Sequence, residues 1–231
     1  MAPRVLLVRH GDEPGDDRVV TWLAANGYEA VTRKPFSGDR LDDVGEVAAS
    51  VIYGGLFDVF ETSKYPFLLE EDRWISQCLE QGMPLLGICQ GCQQIAYHLG
   101  AWAGAPEEEY FEFGYYPLEP TEEAGSFLAE PLVVTQAHYH TFDLPEGAVR
   151  LAGNAQYPNQ AFRYGDNVYG FQFHSEVTPT GFRRWQDSKK HVYGRPGVQD
   201  VQTQNRLMDA HDAAQGRWFN GFLDSFLGRV A

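Results

Sequence analysis

Basic residues are scarce in this chain: 18 lysines and arginines stand against 32 aspartates and glutamates in 231 residues, a formal net charge of −14. No cluster of Lys and Arg interrupts that acidity, and a nucleic-acid backbone is therefore excluded as the main partner, because such binding needs grouped cations. Cysteine is scarce too. Cys78, Cys89 and Cys92 are the only three, an odd number that does not suit a secreted disulfide framework and points to a reducing compartment. Long apolar runs are missing: the opening MAPRVLLVRHGDEP holds four consecutive apolar residues, too few for a signal-peptide core. Nothing later approaches the roughly eighteen of a membrane span. A cytoplasmic location, with no membrane contact, is expected.

Internal repeats, linkers and low-complexity tracts are also lacking, so one domain over residues 1–231 is expected, with a C-terminal helical extension from about 187 to 231. Apolar residues at 43% and charged ones at 22% exclude the composition of a disordered chain. Arg4 to Val8 reads as a buried strand, Asp16 to Asn26 as a helix with acidic residues in its first turn, and Tyr28 to Thr32 as a second strand. SVIYGG (50–55) reads as a third strand. Phe67, Leu68, Trp74, Ile75, Cys78 and Leu79 fall on one helical stripe, which explains Cys78 as core filling. PLLG is a short strand, and a helix from about Gln90 to Leu99 follows. This alternation predicts an α/β fold with a mostly parallel central sheet flanked by helices. Beyond Gly100 the short apolar runs FEFGYYPLEP, PLVVTQAH, AVRLAG, QAFRYG and NVYGFQFH predict further strands, some forming a smaller antiparallel sheet. Helical spacing returns at Pro179 to Lys190 and from Leu207 to Phe226.

The chemistry concentrates in GICQGCQ, where Cys89 stands between Gly87 and Gly91 at the strand-to-helix junction. A nucleophile there sits on a tight turn that penalises flanking side chains, and glycine relieves the crowding. G-x-C-x-G is the thiol form of the nucleophile elbow, and the helix N-terminus favours a thiolate. The plainer alternative is a cysteine buried as a small hydrophobe. A cysteine nucleophile also needs a base. FQFHSEV (171–177), read as a strand, puts His174 and Glu176 on one face, so the carboxylate orients the imidazole toward the thiol. Gly54-Gly55, with the N–H of Gln90, offers donors for an oxyanion.

Two rival readings come from other classes. Cys89-Gln90-Gly91-Cys92 is a C-x-x-C at a helix start, as in dithiol redox proteins, but that reading leaves Gly87, Gln93 and the H-x-E unused. LLVRHGDE resembles the R-H-G that opens histidine phosphatases, with Arg9 and His10 as the candidate pair.

Taken in order, YGG, GICQGCQ and FQFHSEV resemble the class I glutamine amidotransferases, most nearly free-standing members similar to the amidotransferase domain of GMP synthase. Gly87 to Gln93 meets the family's G-[IVLM]-C-x-G-x-Q and Phe173 to Glu176 its F-H-x-E. YPFLLEE, TFDLPEGA, YPNQAFRYG and PGVQ extend the likeness over nearly the whole chain. The resemblance implies a flavodoxin-like fold and hydrolysis of the glutamine side-chain amide. In it Cys89 is the nucleophile, His174 base and acid, and Glu176 its orienter. Gly55 and Gln90 are oxyanion donors, and Gln93, Tyr139 and His140 belong to the substrate site. It implies no metal or organic cofactor, a small-molecule substrate and a separate synthetase as ammonia acceptor. A γ-glutamyl peptidase or hydrolase acting on a related amide is the alternative. One departure stands out: His138-Tyr139-His140 replaces the family's common H-G-D or H-E-D.

Overall fold

The computed structural model describes residues 2–228. Five strands run parallel, in the order β2 (Glu29–Arg33), β1 (Arg4–Val8), β3 (Ala49–Ile52), β4 (Leu85–Ile88) and β11 (Val168–Phe171). Next to β11 the sheet continues antiparallel through β10 (Ala161–Tyr164), β9 (Ala148–Gly153), β6 (Glu112–Pro120) and β7 (Leu132–His138), nine strands in all. β5 (Ala103–Gly104) and β8 (Thr141–Phe142) form a separate antiparallel pair. The α/β architecture is the expected one. Most of the later strands prolong the main sheet, and the small second sheet has two strands.

A strand covered on both faces must be apolar at every position, and β1 shows why its run is continuous. Val5 and Leu7 enter one core with Val19, Trp22 and Leu23 of α1 (Arg18–Ala25) and Phe219 and Leu223 of α5 (Val201–Phe226). Leu6 and Val8 enter the opposite core with Trp74, Ile75 and Cys78 of α2 (Leu68–Glu80) and Cys92 and Ile95 of α3 (Gln90–His98). Each such side chain taken from water contributes about 1.5–3 kcal/mol. A third cluster joins Phe113 and Tyr115 of β6 to Phe182 of α4 (Pro179–Ser188) and Met208 of α5. Among the described residues no helix is long and apolar enough to cross a membrane.

Some boundaries differ from the sequence expectation. α1 starts at Arg18, and Asp17, expected inside its first turn, instead caps it by accepting from Val19 N–H at 3.0 Å and Val20 N–H at 3.1 Å. β3 ends at Ile52, leaving Tyr53 to Gly55 as loop. The order β2-β1-β3 reverses direction at β1, and in parallel sheets a crevice opens beyond the carboxyl ends of the strands at such a point.

Candidate active site

Cys89 joins β4 to α3 with φ 51° and ψ −108°, and among the described residues it is the one non-glycine residue at positive φ. Holding a side chain there costs about 1–3 kcal/mol, which the surrounding packing must supply. The flanking glycines make the bend possible. A Cβ on Gly87 would lie 2.5 Å from the Gly91 carbonyl oxygen, and one on Gly91 would lie 2.1 Å from the Ile52 carbonyl oxygen. The Cys89 N–H donates to the Phe171 carbonyl at 2.7 Å, tying the elbow to the end of β11.

β11 stops at Phe171, so His174 and Glu176 do not alternate along a strand as the sequence reading had them; they lie on the turn that follows. β4, its parallel neighbour, bends away into α3 after Ile88, and β10 on the other side has its first residue, Ala161, opposite Phe171, so the ladder ends on both sides. The two side chains still meet: His174 Nδ1–H donates to Glu176 Oε1 at 2.7 Å. The ring and Cys89 line one cavity side by side, and Trp185 packs edge-on with centroids 4.8 Å apart. A Cβ on Gly54 would lie 2.9 Å from His174 Cε1 and 3.3 Å from Cys89 Cβ, which places bare backbone beneath both groups. Burial opposes a charged imidazole, but the Glu176 carboxylate and the Cys89 sulfur outweigh it and raise His174 to about 10. Backbone bonds fix the turn. His174 N–H donates to the Thr135 carbonyl at 2.8 Å, and Arg18 donates from its guanidinium to the carbonyls of Ser175, at 3.1 Å, and of Val177, and from its N–H to that of Glu176, at 2.8 Å.

Gly55 lies on the loop after β3, and Gln90 is the first residue of α3, where a helical N–H has no intrahelical partner. The Gln90 side chain accepts from Phe57 N–H at 2.8 Å and so holds the loop against the helix. Any Cβ on Gly55 would fall 2.4 Å from Gln90 Oε1 and 2.6 Å from His10 Cβ. His10 is the wall behind this loop. Its Nδ1–H donates to the Tyr53 carbonyl at 3.1 Å and its Nε2–H to Glu71 at 3.0 Å, and its side chain is fully buried. Burial works against its charge, yet Glu71 and the carbonyls raise its pKa. Arg9 is held by Asp17 and stacks over the Tyr53 ring at 4.1 Å. The R-H-G motif thus supports the Tyr53-Gly54-Gly55 loop, and neither ring nitrogen of His10 is free to act as a nucleophile.

Cys89 lies between two cavities. One, of about 240 Å³, is lined by Gly55, Gln90, Gln93, Tyr139 and His140. The other, of about 210 Å³, opens on the His174 side toward Arg9, Asp16, Arg184 and Trp185. The Gln93 amide donates to Gln172 Oε1 at 3.0 Å and to the His140 carbonyl at 3.2 Å, and that carbonyl also accepts from His138 Nδ1–H at 2.9 Å. The His140 carbonyl is therefore spent on the scaffold, while its ring sits 3.4 Å from Asp58. Burial lowers the His140 pKa. His138 Nε2–H donates to buried Glu112 at 3.0 Å, which anchors this loop to β6. Cys92 points into the core opposite Cys89, and burial pushes its thiol well above the usual range, so the C-x-x-C has no second accessible sulfur. Among the described residues no group of three or more His, Cys, Asp or Glu is arranged to hold a metal ion.

Sequence reasoning missed Arg18, Thr135, Glu71 and Glu112. Each acts across the fold on another residue, and no local pattern marks such a partner.

A mixed sheet whose parallel strand ends gather a cysteine elbow, an imidazole and a carboxylate defines an α/β protein with its candidate site at a strand-to-helix turn. The family model for glutamine amidotransferase class-I matches residues 31–185. YfeJ, a glutamine amidotransferase-like protein of Salmonella typhimurium, is 31% identical over 188 residues, 76% of each chain. The glutamine-hydrolyzing GMP synthase of Porphyromonas gingivalis is 29% identical over 139 residues, 59% of this chain and 26% of that protein. The chain thus spans about a quarter of the GMP synthases it matches. A glutamine amidotransferase from Thermotoga maritima superposes with TM-score 0.88 at 27% identity, covering 98% and 99% of the two chains. One from Methylobacillus flagellatus, at 21% identity, shares the fold with TM-score 0.89, covering 100% and 98%. The chain belongs to the class I glutamine amidotransferase family, enzymes that act on the glutamine amide.

Proposed function

We propose that this enzyme hydrolyses the side-chain amide of glutamine through a thioester on Cys89 and passes ammonia to a separate synthetase. The observation that carries the reading is the strained Cys89 elbow beside an imidazole whose Nδ1 is held by Glu176. In this reaction the Cys89 thiolate attacks the amide carbon, and the N–H groups of Gly55 and Gln90 take the oxyanion. His174 gives its proton to the departing ammonia. Water then attacks the thioester with His174 as base, releasing glutamate and the thiol. Gln93, Tyr139 and His140 border the cavity that receives the amino-acid end. The acceptor is proposed because the P. gingivalis relative carries the matched region as 26% of a GMP synthase.

Glutaminase assays of the wild type and Cys89→Ala, with mass spectrometry of the intact protein, test the scheme. Wild type should release ammonia and show a transient mass gain of glutamine less ammonia; Cys89→Ala should show neither. Equal activity in both rejects it. The cavity on the His174 side supports a second reading, in which a γ-glutamyl amide with a larger amine leaving group is cleaved. Faster turnover of a γ-glutamyl dipeptide than of glutamine would favour it.

A further inference from the structure

The cavity beside Gln93 holds a guanidinium that the chain does not neutralise. Arg195, on the segment after α4, places Cζ 5.3 Å from the Phe111 ring centroid and 5.4 Å from that of Tyr139. The two rings meet edge-to-face with centroids 5.9 Å apart, and the guanidinium sits in the corner they form. Among the described residues no carboxylate lies within 4 Å of it, whereas the arginines of the neighbouring cavity are matched, Arg9 to Asp17 and Arg184 to Asp16. Lys189 borders the same cavity, and its contact is the Trp185 ring at 5.8 Å. The wall carries one acid, Asp58, 3.4 Å from the His140 ring, so two cations stand against a single carboxylate there. In a chain of net charge −14, that local excess of positive charge beside the candidate nucleophile forms a site for an anion.

We infer that Arg195, set in the corner formed by Phe111 and Tyr139 and assisted by Lys189, binds the α-carboxylate of the substrate and so selects a free amino-acid end. The inference rests on the glutaminase reading and names the group that sets its specificity. It also gives Tyr139 a part: its ring is one of the two that the guanidinium rests against. The carboxamide reaches Cys89 while the α-carboxylate meets the guanidinium, as two points of attachment that fix one orientation in the cavity. An α-carboxamide or ester in place of the carboxylate leaves Arg195 without its charge-assisted hydrogen bonds.

The test separates binding from turnover. In Cys89→Ala, calorimetric titration should show L-glutamine binding about 10- to 100-fold more tightly than its α-carboxamide, the usual worth of a charge-assisted hydrogen bond. Adding Arg195→Met should bring the two ligands within about twofold of each other, and Arg195→Lys should restore part of the preference. In the Cys89-containing enzyme, Arg195→Met should raise KM by a similar factor with kcat nearly unchanged. Equal preference with and without Arg195, or no binding of glutamine to Cys89→Ala, overturns the inference. An Arg195-dependent preference in an enzyme that releases no ammonia leaves the carboxylate site standing and rejects the hydrolysis.

Discussion

Cys89 and His174 lie 85 positions apart in the chain and side by side in one cavity of the fold. Their coupling has a measurable consequence. Burial alone would favour neutral imidazole, but Glu176 and Cys89 raise His174 from 6.5 to about 10. A group whose folded pKa lies above its unfolded value contributes stability that is complete below the unfolded pKa and is lost as pH rises through the folded one. The window is therefore from about pH 6.5 to about 10. Urea unfolding across it should show wild type losing stability relative to His174→Gln, at a slope of up to about 1.4 kcal/mol per pH unit. His10, also raised, is present in both proteins and cancels in the comparison. Parallel curves would mean that His174 folds as a neutral ring.

At the scale of elements, the junction of β4 and α3 is legible in the sequence because its requirement is local. Two glycines bracket the cysteine, and the structure shows which backbone each one admits. Gly91→Ala would press Cβ to 2.1 Å from the Ile52 carbonyl oxygen on β3, so the helix cannot keep its place against the sheet. It should destabilise the protein by about 3 kcal/mol or more, read by chemical denaturation. Gly221→Ala in α5, where an added Cβ meets nothing within 4 Å, should be neutral or stabilise by up to about 1 kcal/mol. Comparable losses in the two variants would mean that the elbow tolerates a side chain. The His174 strand was misread for a different reason. An apolar alternation continues through Phe173, but β11 can run only while a neighbour runs beside it; the elbow ends β4 at Ile88, and β10 begins at Ala161 opposite Phe171. Periodicity reports which face a side chain favours and says nothing of when the neighbouring strand leaves.

At the scale of the whole molecule, the parallel strands β1, β3, β4 and β11 all end at the same crevice, bringing His10, Gly55, Cys89 and His174 together from four separate stretches. Arg18 closes this arrangement. Near the start of the chain it donates to the carbonyls of Ser175, Glu176 and Val177, and its guanidinium also pairs with Asp212 of α5 at 2.6 Å. Arg18→Met keeps much of the apolar stem and the backbone N–H bond to Glu176, and removes the guanidinium donors to Ser175 and Val177 together with the Asp212 pair. The His174 turn should loosen, with kcat for glutamine hydrolysis falling about tenfold or more and KM changing much less. A variant that loses only thermal stability would show that the turn holds itself.

The sequence by itself determined the alternation of strand and helix, the elbow with its two glycines, and the membership of Cys89, His174 and Glu176 in one motif set. The first two are local, carried by apolar period and by crowding within a few residues, and the third follows from the resemblance of GICQGCQ and FQFHSEV to the family's motifs. Only the tertiary structure decided that His174 reaches the thiol from a turn, that Arg9 and His10 support a loop, that Cys92 faces the opposite core, and that Tyr139 stacks on a guanidinium 56 positions away. Each of those outcomes depends on which strands pair and where each ladder ends. Such facts belong to contacts between distant segments, and no short window of residues contains them.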